Sequence, residues 1–316
     1  MRRLRKRNLS VILTKGTIII KGGDVLMREY KIFTDSTADM PASTAEELDI
    51  TVVPTEFFLK GNKYLDYPDF RELHPTEFYK QVRVGEMPKT AVINPERFMD
   101  YFEPVLKEGK DILHIVFSSG LTTTMQNSKI AAEELKERYP DSKIVVVDSL
   151  SASLGKALLV YYAAQMKRDG ASIEQAAEWV EKTRTYMNCW FTVDDLNHLR
   201  RGGRVTVTAA MVGGVLSIKP VMRINLEGKL EPVDKVRGRK TAIEMLLAKV
   251  GELGKDIQEQ IVGIGHGDCE EEARYMAEEV KKRYNPKEVI INYVGPVIGA
   301  HAGPGALAIF FIGNER

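Results

Sequence analysis

Cysteine is scarce: the 316 residues contain two, Cys189 and Cys269, far apart in the chain. That spacing excludes a disulfide framework and a cysteine-rich zinc site, and it fits a reducing compartment. No apolar run reaches the roughly 18 residues that a membrane-spanning helix needs, so no stable membrane insertion is expected. HExxH, CxxC and EF-hand patterns are missing, so no metal is expected. No GxGxxG follows a strand. Gly238-Arg239-Lys240-Thr241 has the look of a P-loop tail, but Val233 stands where its first glycine is needed. The chain therefore carries no visible ATP or dinucleotide site of its own. A surplus of positive charge is missing too. Residues 1–26 hold seven basic residues and one acid, so the net +1 of the whole leaves −5 for the rest. A mildly acidic body gives no support for nucleic-acid binding.

What is present is an ordinary globular composition, 44% hydrophobic and 28% charged, with length for two domains. The basic start is no signal peptide, because Lys15 interrupts a short apolar region and no A-x-A-like cleavage site follows. Residues 1–29 read as an extension, either a disordered basic tail or a mis-assigned start. Lys21-Gly22-Gly23-Asp24 can be encoded as a bacterial ribosome-binding site, and Met27 follows it at start-codon distance.

The most informative stretch is Phe117-Ser118-Ser119-Gly120-Leu121-Thr122-Thr123-Thr124-Met125-Gln126. It follows the apolar run Ile112–Phe117 and precedes a helical pattern through Tyr139. A hydroxyl-rich turn thus joins the end of a buried strand to the start of a helix. An open α/β sheet places ligands there, and free N–H groups favour an anion. Ser and Thr are also preferred helix caps. One residue suffices for a cap and this turn has five hydroxyls, so the pattern favours an anion site.

Tyr30–Thr34 reads as a first strand, followed by Asp35 and Ser36, which either border the site or cap the next helix. Lys143–Ser149 repeats the strand-then-Asp-Ser pattern. Strand and helix alternate up to Arg168-Asp169-Gly170, which predicts a mainly parallel α/β/α domain over 30–169. Ser172-x-x-Gln175 is a capping box opening a helix through about Met187. Residues 170–316 then read as an α+β domain, with a hairpin turn at Asn225–Gly228 and a small-residue helix over Ala209–Leu216. His266-Gly267-Asp268 follows a strand; the pattern suits a metal or a general base, and better suits a turn with Asp268 as cap. The glycines between Gly295 and Gly305 suggest close backbone approach or positive φ, or a tight connection.

Several of these pieces together resemble the DegV family of bacterial fatty-acid-binding proteins. They are Phe33-Thr34-Asp35-Ser36-Thr37-Ala38-Asp39, Pro88-Lys89-Thr90, Ser118-Ser119-Gly120-Leu121, Val147-Asp148-Ser149, Arg201-Gly202-Gly203-Arg204 and the Gly295–Gly305 run. The likeness covers Tyr30 to Ile312. It implies a two-domain α/β protein with one long-chain fatty acid, such as hexadecanoate, between the domains. It also implies a cytoplasmic carrier with no cofactor and no enzyme activity of its own. A separate ATP-binding fatty acid kinase subunit would convert the bound carboxylate to an acyl phosphate for phospholipid synthesis. By the same resemblance Thr90 and Thr122 hold the carboxylate and His266 joins them. Ser119, in the matching turn, is also expected to bind the fatty acid. Arg204, and with it Arg201, serves the carboxylate network or kinase docking. The chain departs from the family where Thr122-Thr123 replaces Ser-Gly, and where Ala91-Val92-Ile93-Asn94 replaces Ser-Gln-Pro-Ser. The rival reading is a stand-alone serine hydrolase of acyl esters, using Ser119 or Ser118 with His266 or His301; the absence of a Gly-x-Ser-x-Gly elbow weakens it. A third is a ligand-free scaffold, whose sign would be an empty or polar cleft.

Overall fold

The computed structural model describes residues 11–14, 17–20, 28–205 and 218–316. In the N-terminal extension β1 (Val11–Thr14) pairs antiparallel with β2 (Thr17–Ile20). That ribbon differs from the disordered tail expected there: β-branched residues flank Lys15-Gly16 on both sides, a hairpin pattern. The helix expected over Ala209–Leu216 lies outside the described residues.

The first half alternates as anticipated. β3 (Tyr30–Asp35), α1 (Ala42–Glu47) and β4 (Ile50–Val53) lead into a small meander, β5 (Thr55–Leu59) and β6 (Asn62–Asp66). Next come α2 (Pro75–Arg83), β7 (Lys89–Thr90), α3 (Pro95–Lys107), β8 (Asp111–Val116), α4 (Thr124–Arg138), β9 (Ile144–Asp148) and α5 (Ser153–Arg168). Asn94 caps α3 through the Arg97 N–H, with Pro95 at the first helical position, where its missing N–H does no harm. The order β4-β3-β8-β9 makes a four-stranded sheet, parallel throughout. All of β8 is buried, as expected of a parallel strand covered on both faces. Phe33 and Ile112 pack under α3 and α4, whereas Ile32 and Leu113 face α5. β5 pairs antiparallel with β6 and β7 in a separate three-stranded sheet.

In the second half the Ser172–Gln175 capping box opens α6 (Ile173–Thr183), which ends four residues before Met187 because β10 (Met187–Thr192) begins there. α6 follows Gly170 in the chain yet packs on β8 and β9. After α7 (Asn197–Arg201) come the hairpin β11 (Ile218–Ile224) and β12 (Leu230–Arg237), then α8 (Arg239–Leu253). The chain closes with β13 (Ile261–His266), α9 (Glu270–Tyr284), β14 (Glu288–Tyr293), α10 (Pro296–Ala302) and β15 (Leu307–Ile312). The sheet order is β12-β11-β10-β15-β13-β14, with only β13 and β14 parallel. α8 and α9 cover its outer face. α5 lies between this sheet and the first, and is apolar over most of its circumference, as a helix buried on all sides must be. The glycine-rich run shows both the positive φ and the close approach expected of it, at Gly303 (φ +78°) and Gly305 (φ +76°) and at Gly299, where a Cβ would lie 2.4 Å from the Tyr79 hydroxyl, and it contains the short helix α10, started by Pro296.

Candidate functional site

A cavity of about 960 Å³, mouth included, opens between the two sheets. Its wall combines β7, the turn after β8, the inner faces of β10 and β15, the turn end of the β11–β12 hairpin (Ile224 and Leu230), and α10. The lining is mostly apolar, with polar groups at one end and along the floor.

The polar end begins with Thr90, which β7 fixes by pairing it with Phe57 of β5. Thr90 Oγ1 lies 3.0 Å from Nε2 of His301, in the last turn of α10. The His301 ring rests directly over Gly202: a Cβ there would fall 2.3 Å from Nδ1. Burial, reinforced by the Arg204 charge, pushes the His301 pKa down to about 4, so the ring is neutral near pH 7. Its Nδ1 is buried without a hydrogen-bond partner among the described residues. Arg204 also lines the cavity and donates to the Gly202 carbonyl; burial holds its pKa below the usual arginine range. Thr122 completes this end. Its Oγ1 lies 2.9 Å from Thr124 Oγ1 and accepts the Thr124 N–H at 3.2 Å, so it shapes the start of α4 while lining the cavity. Thr123 adopts φ −88° and ψ 6°, a conformation open to any residue, so replacing glycine there strains nothing.

Three of the five expected residues, Thr90, Thr122 and Arg204, therefore meet around one cavity. Ser119 does not line it. It faces the open cleft outside the mouth, beside Arg200, Lys229 and Lys235, with its N–H donated to Asp148 Oδ1 at 3.2 Å. Arg201 is exposed and within 3.3 Å of His198 Nδ1. Ser118 is fully buried and donates to the Gly228 carbonyl at 2.7 Å. The hairpin turn packs so closely there that a Cβ on Gly120 would lie 2.5 Å from the Glu227 carbonyl oxygen.

His266 does not reach the cavity either, which corrects its expected place among the carboxylate donors. It ends β13, two strands away from β10, with its ring 4.4 Å from that of Tyr293 and beside a shallow surface pocket with Glu270 and Arg274. The histidine at the polar end is His301. Sequence reasoning saw it only inside the glycine run and as a hydrolase partner.

Behind Thr37 and Ser153, which line the cavity, lies a second polar cluster. Asp35 accepts the Thr37 N–H at 3.1 Å and so caps the short turn Ser36–Ala38, not the helix α1 expected, whose N-cap is Pro41 without a side-chain bond. Its carboxylate pairs at 2.8 Å with Lys156 Nζ of α5, both side chains out of contact with water. Burial works against the carboxylate, but the Lys156 charge and hydrogen bond outweigh it and hold Asp35 below the usual range. Asp39 accepts from Ser153 Oγ at 2.5 Å and from the Gly295 N–H at 2.9 Å, and burial raises its pKa to about 7. Among the described residues no group of three or more His, Cys, Asp or Glu gathers to hold a metal. No described helix is long and apolar enough to cross a membrane.

A family model described as an uncharacterised protein of the DegV family matches residues 29–314. The chain belongs to the DegV family. A DegV domain-containing protein of Clostridium perfringens is 44% identical over 290 residues, 92% of this chain and 99% of that protein. Among solved structures, a DegV lipid-binding protein from Thermotoga maritima is 31% identical with a TM-score of 0.81, over 91% of this chain and 99% of its own. A DegV family protein from Thermus thermophilus, described as binding fatty acid, is 30% identical with a TM-score of 0.82, over 90% and 99%. These likenesses bear out the two-part α/β architecture, one part mainly parallel and one mixed.

Proposed function

We propose that this DegV protein binds one long-chain fatty acid, such as hexadecanoate, between the halves 30–169 and 170–316. The acyl chain lies in the apolar cavity. The carboxylate sits at the polar end, with Thr90, His301, Thr122 and Arg204 around it. One observation carries the reading: the apolar cavity ends in a neutral imidazole with an unpartnered nitrogen, beside a threonine and a buried guanidinium. A buried carboxylate needs such donors, and charge-assisted hydrogen bonds are the strong ones. The tail supplies the affinity, at about 0.8 kcal/mol per buried methylene.

The chain has no P-loop or dinucleotide motif, so we take it as a cytoplasmic carrier. It presents the carboxylate to a separate ATP-dependent kinase, and the acyl phosphate formed feeds phospholipid synthesis. The hydrolase reading fares less well. His301 is engaged with Thr90, Ser118 gives its hydrogen to Gly228, and Ser119 faces the outer cleft.

Mass spectrometry of the purified protein tests the first step, intact and then after denaturing extraction. One fatty acid per chain, lost on denaturation, is expected; a protein that is empty and refuses added fatty acids sinks the reading. For the second step, Thr122→Ala should slow acyl phosphate formation by an added kinase. Unchanged turnover and lipid retention would remove Thr122 from the head group.

A further inference from the structure

β15 leads away from His301, after the turn Gly303-Pro304-Gly305. Ala306, just before the strand, and Ala308 and Phe310 on it follow at alternate positions and line the cavity. All three are buried. From Ala306 to Phe310 the strand advances by about 13 Å. Two alanines in succession leave a trough along the strand, and the phenylalanine that follows blocks it.

The neighbouring strand β10 reverses the pattern, large against small and small against large. Phe191 of β10 stands opposite Ala308, and Cys189 opposite Phe310. On the other side Gly263 of β13 stands opposite Phe310. One row further along, Met187 pairs with Ile312. Met187, Ile312 and Ile261 share the apolar core under α5 with Ala308, Phe310 and Cys189, but unlike those three they do not line the cavity. The cavity therefore ends at the Phe310–Cys189 row.

The ring is seated on backbone. A Cβ on Gly155 would lie 2.9 Å from Phe310 Cδ1, one on Gly265 3.4 Å from Cε2, and one on Gly263 3.5 Å from Phe310 Cβ. Two positions without side chains, Gly155 and Gly265, hold the ring close and Gly263 holds its Cβ, so it is a fixed wall rather than a swinging gate.

We propose that Phe310 is the end stop that selects acyl chain length, with Ala306 and Ala308 as the trough leading to it. This rests on the fatty-acid reading above. The head group is fixed at the Thr90–His301 end, so the position of the wall decides how many methylenes are buried. Chains that stop short leave empty space before the ring, and chains that are too long must displace it.

The test offers the protein an equimolar series of even-numbered saturated fatty acids and reads the bound chain lengths by native mass spectrometry. Phe310→Ala should move the preferred length up by at least one two-carbon step. Each added pair of buried methylenes should change the preference roughly tenfold. Phe310→Leu should give a smaller shift in the same direction. Ala308→Leu, which fills the trough, should move the preference to shorter chains. If Phe310→Ala fails to fold, the two leucine variants carry the same test with less change in buried volume. A folded Phe310 variant that keeps the wild-type distribution overturns the end stop, as does an unmoved Ala308→Leu. A wild type that takes up no fatty acid sinks the lipid reading itself and this inference with it. A loaded wild type with unmoved variants sinks the end stop alone.

Discussion

The Asp35–Lys156 cluster and the Thr90–His301 pair both lie between the two sheets, but they are completed differently. Lys156 Nζ finds the Asp35 carboxylate at 2.8 Å, the Asp35 carbonyl at 3.1 Å and the Thr37 hydroxyl at 2.8 Å. Its three hydrogens are all used. His301 has Thr90 as its hydrogen-bond partner, and its Nδ1 is left without one among the described residues. Leaving a buried polar atom unpaired costs about 1–3 kcal/mol, so natural proteins seldom do so without a reason. The closed cluster ties α5 to the first sheet. The open pair lines a cavity. The contrast separates a network that specifies the fold from one built to receive a ligand.

The largest effect should come from breaking the closed cluster. Lys156→Met strands the Asp35 carboxylate in the core, and removing one partner of a buried ion pair costs about 3–5 kcal/mol. Denaturant unfolding should show that loss, and Asp35→Asn added to Lys156→Met should recover most of it. A Lys156→Met protein as stable as the wild type would erase the distinction drawn here.

Asp39 belongs to the same cluster but has no cation of its own, which makes pH the next probe. Its folded pKa is about 7 against a usual value of 3.8, burial being the main cause. The folded state therefore binds the proton more tightly than the unfolded state. Its contribution to stability is full below pH 3.8 and is lost as the pH rises through about 7. The loss is on the order of 4 kcal/mol at most. His301 works in the opposite sense, because its depressed pKa destabilises the fold as the pH falls from 6.5 toward about 4. Comparing wild type with Asp39→Asn at each pH removes the histidine contribution. Wild type should lose stability relative to the variant between pH 4 and 7, and parallel curves would refute the assignment.

The open pair should respond in binding rather than in stability. His301→Ala should weaken fatty acid affinity roughly 10–100-fold, the worth of a hydrogen bond to a charged group. Its unfolding free energy should move by less than about 1 kcal/mol, since the ring completes no closed network. Titration calorimetry and denaturant unfolding read the two quantities separately. A variant that loses stability but keeps its affinity would reverse the roles of the two clusters.

Much of this was legible in the chain, because its signals are local. The strand, hydroxyl turn and helix around Ser118, the Asn94-Pro95 helix start and the Ser172–Gln175 capping box each depend on a few neighbouring residues. The ion pair left a trace as well: Lys156 is a lone charge within the apolar run Leu154–Ala164, and a buried helix requires a partner for it. What was not legible was which histidine faces the cavity. His266 and His301 both follow apolar segments next to glycine. The choice between them depends on strand order, with β15 lying between β10 and β13, and on Gly202 leaving room for an imidazole. Both are contacts across more than forty positions of chain, and no local pattern encodes them. Ser119 was misplaced for a similar reason. The β11–β12 turn closes over the hydroxyl turn, with Thr122 lining both the cavity and the outer cleft and Ser119 the outer cleft alone.

The smallest predicted effect is the one that tests that choice most directly. His266 is buried, stacks on Tyr293 and borders a pocket separate from the cavity. Burial lowers its pKa, and its Nδ1, like that of His301, is buried without a hydrogen-bond partner among the described residues, but His266 does not line the cavity. His266→Gln keeps a polar side chain of similar reach and removes the ring contact, so it should cost about 1 kcal/mol of stability, as aromatic pairs do. Fatty acid affinity should stay within about twofold of wild type, because less than about 0.4 kcal/mol separates the two. The wild-type contrast is then a double one: His301→Ala changes binding with little change in stability, and His266→Gln changes stability with little change in binding. A His266→Gln protein with tenfold weaker binding would return that histidine to the head-group site. It would also mean that the end of β13 communicates with the cavity through Tyr293 and Val294, the latter a residue of the cavity wall.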